Sequence, residues 1–213
     1  MAESFQPPAD GLPERRRFLG GVVSAGVLGT LAPNAANAQP PPAPKPSTNQ
    51  PPNNFPALDH AAFMRRAIVQ AKQVPLLPFG AVIVEAATGK VQAEGHNRSS
   101  LNPTWHGEID VINRQAAQNP QSDWSGLVLY TTAEPCAMCQ AAIEWAGIAL
   151  VVFGSSIPFL QKLGWWQIDL RAEEIIRRTP FRKTAILGGI LEAECNTLFE
   201  AVPRAGRELK KIK

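Results

Sequence analysis

Cysteine, histidine and tyrosine are scarce in this chain of 213 residues, at three, three and one. Three cysteines are too few for a disulfide scaffold. Charge is also modest: 18% of residues are charged and the formal net charge is +3, with no concentrated basic stripe. Proteins that grip nucleic acid along its phosphates need clustered Lys and Arg, so a nucleic-acid partner is not expected. Arg207 to Lys213 hold four positive charges and one negative, and read as a solvated terminus. What the chain has is 45% hydrophobic residues, enough for a real core.

The first apolar run is part of a leader. Arg15, Arg16 and Arg17 precede Phe18 and Leu19, and a glycine-interrupted apolar run follows from Gly20 to Ala32. That run is too short to span a bilayer comfortably. Ala36-Asn37-Ala38 is a small-x-small cleavage site, with Gln39 as the mature start. The Arg pair and its sequel resemble a twin-arginine export signal over residues 1–38, which implies a periplasmic or exported protein with no stable membrane span once the signal is removed. A retained anchor and a plain basic, Ala/Gly-rich leader are the alternatives. Residues 39–54 contain seven prolines in sixteen positions. Proline lacks an N–H and fixes φ, so this stretch is an extended linker. The folded domain is expected over 55–213.

Hydrophobic periodicity then alternates between helix and strand. A helix is expected over 58–73, capped by Asp59, with Phe63, Ala67, Ile68 and Ala71 on one stripe. Strands are expected at Phe79–Glu85 and Val91–Gly95 around a Thr88-Gly89 turn, and at Leu127–Thr131, Ile148–Phe153 and Thr184–Leu187. Helices are expected at His106–Gln118, Cys136–Trp145, 157–162, 171–178 and Ile190–Ala201. This interleaving implies an α/β, layered domain. The first two strands should pair antiparallel, and later strands joined through helices should run parallel.

Two short motifs carry chemistry: His106-Gly107-Glu108, and Pro135-Cys136-Ala137-Met138-Cys139. Cysteines three apart at a helix start share one face of one turn. The helix N-terminus favours their thiolates. Zinc takes thiolate and imidazole ligands, and a catalytic site uses three protein ligands with a fourth position open to water. His106, Cys136 and Cys139 are such a set. Glu108 can project toward that water and carry its proton. Two other readings stay open. A lone Cys-x-x-Cys serves redox exchange or a disulfide in some exported proteins. A structural zinc site would need a fourth protein ligand, for which only His60, expected on the surface of the first helix, and His96 remain.

The two motifs together resemble the H-x-E…P-C-x-x-C signature, for which the zinc deaminases are the standing example. The chain is similar to the cytidine deaminase-like superfamily over roughly residues 58–200, in the branch holding guanine, cytosine and tRNA adenosine deaminases. Pro78-Phe79-Gly80-Ala81-Val82, Gly95-His96-Asn97, Leu129 to Cys136 and Gly189 to Cys195 add to the likeness. The resemblance implies a three-layer α-β-α fold around a mixed five-stranded sheet, and a homodimer. It implies one Zn2+ per chain on His106, Cys136 and Cys139, with Glu108 as proton shuttle. Asn97 would hydrogen-bond the base, the Cys136 N–H would help hold the reacting site, and backbone near Ala81 would line the pocket.

The substrate implied is a free nucleobase or nucleoside, such as guanine or cytosine, that loses ammonia. The alternatives are a tRNA adenosine deaminase-like editing enzyme and a non-catalytic zinc-binding or redox module. Trp165 and Trp166 are candidates to stack on a planar substrate, equally readable as core or dimer packing; Trp105 is a weaker one. Cys195 is expected in the core with Leu191, Leu198 and Phe199. Guanine deaminases are expected to place an acid in the loop after the fourth strand. Here Gly154 to Gln161 contains none, and only Asp169 and Glu173 follow. The His-Gly-Glu form also resembles cytosine deaminases.

Overall fold

A computed structural model describes residues 57–120, 123–180 and 184–203. The expected signal (1–38), the linker (39–54), Phe55 and the basic C-terminal residues lie outside the described residues. Five strands, β1 (Gly80–Glu85), β2 (Val91–His96), β3 (Leu127–Ala133), β4 (Leu150–Ser155) and β5 (Ala185–Leu187), form one sheet in the order β2-β1-β3-β4-β5. The β1–β2 and β1–β3 pairs are antiparallel, while β3–β4 and β4–β5 are parallel. The sheet is therefore mixed. The β1–β2 turn needs Gly89, whose φ is 69°.

Six helices accompany it: α1 (His60–Lys72), α2 (Gly107–Gln118), α3 (Ala137–Ala146), α4 (Ile157–Lys162), α5 (Ala172–Arg178) and α6 (Glu192–Glu200). Alternation along the strands sorts the two faces. Val82, Val84, Val128, Tyr130, Leu150 and Val152 pack with Met64, Ala67 and Ile68 of α1 and Cys195 of α6. Ala81, Ile83, Leu127, Leu129 and Val151 pack with Val111 of α2 and Ile143 of α3. That is a three-layer α-β-α arrangement. β3 and β4 are buried along their whole lengths, as expected for strands covered on both sides.

Element edges moved for identifiable reasons. Asp59 caps α1 by accepting from Ala62 N–H at 2.9 Å. Phe79 stands outside β1, because its ring packs at the pocket against Trp165 and Phe199. The fourth strand starts two residues late, since Gly147 in the left-handed region and Ile148 finish the turn out of α3. The last helix starts at Glu192, not Ile190: Gly189 and Leu191 both have positive φ, which a helix cannot continue through. His60 is not a plain surface residue; it is half-buried, with Nδ1 2.9 Å from the Tyr130 hydroxyl.

Candidate active site

The N-terminal ends of α2 and α3 meet beside the C-terminal end of β3. His106 is the N-cap of α2 and Cys136 the N-cap of α3. Both are backbone-extended there, so each side chain stands at a helix mouth. Cys139 lies one turn inside α3 and is fully buried. His106 Nδ1 lies 3.7 Å from Cys136 Sγ and 3.6 Å from Cys139 Sγ. All three donor atoms fall within 4.8 Å of one another. A tetrahedral zinc with Zn–S of about 2.3 Å and Zn–N of about 2.0 Å needs an N···S edge of about 3.6 Å. The three residues fit that ion.

The electrostatics of the cluster also fit a cation. The hydrogen bond with Cys139 holds the Cys136 thiol down at about 4, against the opposing effect of burial. That same bond, with burial added, pushes the Cys139 thiol well up. One proton is in effect shared by the pair, leaving a thiolate in a buried site. Glu108 lies beside it, 3% exposed. Burial pushes its carboxyl up, and the Cys136 charge pushes it further. The Thr131 hydroxyl donates to Glu108 Oε1 at 3.0 Å and favours the ionised form.

Why the sequence folds this way is local. Gly107 must be glycine, because a Cβ there would meet the Phe79 carbonyl oxygen at 2.8 Å. The start of α2 is pressed against the chain entering β1. The Gly of His-Gly-Glu therefore has a packing cause independent of substrate. Asp110, one turn along α2, is buried and accepts from the His96 N–H at 3.3 Å and Arg114 Nε at 2.9 Å. It holds the end of β2, and with it Asn97, against α2.

A pocket opens onto the cluster. It is lined by Leu77, Phe79, Asn97, His106, Glu108, Glu134, Cys136, Trp165, Trp166 and Gln167. Thus six of the seven sequence candidates line one cavity, and Cys139 lies beneath it. Asn97 is buried; its Oδ1 accepts from the Ser99 N–H at 3.0 Å and hydroxyl at 2.7 Å. Its Nδ2 is left as a donor. The two tryptophans differ. Trp165 is buried, edge-on to Phe79 and Phe199 at ring separations of 5.4 and 5.7 Å. Trp166 is 59% exposed at the rim.

Other expectations fall away. Ala81 lies in the core and its backbone does not line the pocket. Trp105 turns aside, with the Arg98 guanidinium 5.4 Å over its ring. His96 does not line the pocket either. Asp169 accepts from Gln161 Nε2 at 3.1 Å, and neither it nor Glu173 lines the pocket. Cys195 is in the core, as expected, with its Sγ 2.3 Å from where a Cβ on Gly154 would stand. Thr131, Glu134 and Gln167 were missed as site residues. Thr131 and Glu134 leave one signal: they are polar residues at the end of an otherwise apolar strand. Gln167 leaves none.

Residues 58–155 match the sequence family described as the cytidine and deoxycytidylate deaminase zinc-binding region. The chain is 32% identical over 157 residues to a tRNA-specific adenosine deaminase of Streptococcus pyogenes serotype M1, covering 70% of this chain and 86% of that protein. It is 32% identical over 141 residues to the guanine deaminase of Bacillus subtilis, covering 61% and 88%. A structure from a study of A-to-I editing by tRNA deaminases superposes with a TM-score of 0.55 at 30% identity, over 64% of this chain and 98% of that one. With the His-Cys-Cys cluster at the mouths of two helices and relatives covered over most of their length, the chain belongs to the cytidine deaminase-like zinc deaminase superfamily.

Proposed function

We propose that the chain is a hydrolytic deaminase of a free nucleobase or nucleoside, holding one zinc ion on His106 Nδ1, Cys136 Sγ and Cys139 Sγ. One observation carries this reading: a buried carboxylate with a raised pKa, Glu108, shares a pocket with a three-donor metal cluster. Zinc bound there would acidify a water toward neutral pH. Glu108 takes a proton as the water oxygen bonds to the amine-bearing ring carbon. It then delivers protons to the ring nitrogen and the departing amine, so the C–N bond breaks and ammonia leaves. Thr131 steadies the carboxylate between transfers. Asn97 Nδ2 donates to a ring acceptor, and Trp166 covers the ring face. Trp165 serves as wall, not as a stacking partner.

The pocket is ill suited to guanine. Of its two carboxylates, Glu108 moves protons and Glu134 is fully engaged by protein donors. The ring edge is met instead by the carboxamides of Asn97 and Gln167, which suit a ring presenting both a donor and an acceptor. We also propose export of this domain by the leader, and a homodimer, which its family resemblance implies. Among the described residues, no helix is long and apolar enough to cross a membrane.

Zinc-loaded protein is to be given guanine, cytosine, adenine and their nucleosides, with ammonia measured. Release from at least one is expected; release from none overturns the reading. A tRNA-editing enzyme is the second reading, favoured by the tRNA-specific relative. It is opposed by the export leader and the low net charge of +3. Salt-dependent tRNA binding by the chain would favour it.

A further inference from the structure

Glu134 sits two residues before Cys136, at the exit of β3. It is 3% exposed and lines the pocket. Its carboxylate is held on every side. Arg171 Nε donates to both oxygens, at 2.7 and 2.9 Å. The backbone N–H of Ile157 donates to Oε2 at 3.0 Å, and that of Ala172 to Oε1 at 3.1 Å. Ile157 is the first residue of α4; Arg171 and Ala172 open α5. The chain between these two helices carries Trp165, Trp166 and Gln167, the pocket wall facing the metal cluster. One carboxylate therefore ties the start of α4 and the far end of that wall segment to the strand that delivers Cys136.

We propose that Glu134 and Arg171 are positioning residues, a clamp that sets the wall Trp165–Gln167 against the metal-binding end of the pocket. The clamp touches the wall's anchors, not the reacting atoms, so it governs substrate binding more than turnover. Nothing else printed across this junction matches it: Gln161 Nε2 to Asp169 Oδ1 spans the same segment, but on the exposed side. Its outer jaw is open to solvent, since the Arg171 side chain is 38% exposed. Arg171 can thus be changed without opening a core cavity. Lysine keeps the charge but lacks the guanidinium nitrogen that reaches both oxygens.

The kinetic arm of the test rests on the deaminase reading; the other arm does not. Full-length, zinc-loaded Arg171→Met and Arg171→Lys proteins are compared with the unmodified chain. Hydrogen–deuterium exchange is followed over 163–171 and over α3, and metal content is measured. Kinetics are taken on whichever of guanine, cytosine and adenine the unmodified protein deaminates. In Arg171→Met, exchange over 163–171 should quicken while α3 stays protected. KM should rise by about tenfold, the scale of one lost charge-assisted hydrogen bond, with kcat and zinc content retained. Arg171→Lys should fall between, and it carries the test if Arg171→Met does not fold. Unchanged exchange over 163–171 overturns the clamp whatever the kinetics. A fall in kcat with zinc loss and unchanged KM overturns it too, because Glu134 would then serve the metal site. If no base is deaminated, the deaminase reading fails and the exchange data still decide the clamp.

Discussion

Glu108 and Glu134 line the same pocket and are equally buried, at 3% exposure, yet they are built for opposite tasks. Glu134 accepts from one guanidinium and two backbone N–H groups. A carboxylate so surrounded has no oxygen to lend to a proton. Glu108 has the Thr131 hydroxyl on one oxygen and a buried thiolate nearby, and its carboxyl is pushed up. Desolvation without full compensation leaves a group poised to change protonation state. The comparison teaches that hydrogen-bond saturation, not burial, separates a scaffold acid from a working one.

The strongest way to break the comparison is Glu108→Gln, which keeps shape and removes the proton carrier. Deamination should drop by roughly 10² to 10⁴-fold, the usual contribution of a positioned acid–base group. Metal content, read by atomic absorption, should stay unchanged. Turnover at the unmodified rate would remove Glu108 from the mechanism.

Thr131→Val sharpens the same contrast from the other side. It takes away the hydroxyl that favours ionised Glu108. The carboxyl pKa should then rise further, so a larger share is protonated, and unable to accept, at any given pH. The acidic limb of the kcat/KM profile should move to higher pH, and activity at neutral pH should fall by about tenfold, as for one hydrogen bond to a charged group. A profile that stays in place, or moves to lower pH, contradicts the role given to Thr131.

How much of this was legible beforehand follows the same line. The sheet's five strands and the helices between them show in periodicity, because covered strands read as short apolar runs such as Leu127 to Thr131. The metal cluster shows because zinc chemistry fixes residue types and spacing within each motif. What did not show depends on distant chain segments. Arg171 is thirty-seven residues from Glu134, and no local pattern announces a salt bridge at that range. Gln167 lies on a segment with neither regular helix nor strand, so periodicity has no hold on it. The left-handed Leu191 escaped because Leu in that conformation is costly and only tertiary packing explains it.

The smallest expected effect belongs to the third cysteine, and it extends the contrast from acids to thiols. Burial pushes the Cys195 thiol up to about 12, whereas the bond with Cys139 holds Cys136 down at about 4. The thiolate is the reactive form, so the two differ in chemistry and not only in access. In metal-free protein at neutral pH, iodoacetamide should label Cys136 first, and prior zinc loading should protect it. Cys195 should stay unlabelled until the protein unfolds, because its sulfur is packed against Gly154 in the core on the α6 side of the sheet. Cys195→Ala should leave deamination within about twofold of the unmodified protein and lower stability by about 1 kcal/mol, the worth of one small buried apolar group. Peptide mapping that finds Cys195 labelled in the folded, zinc-loaded chain would mean that this thiol has a route to solvent, and that saturation of the core around it is less complete than its packing against Gly154 implies.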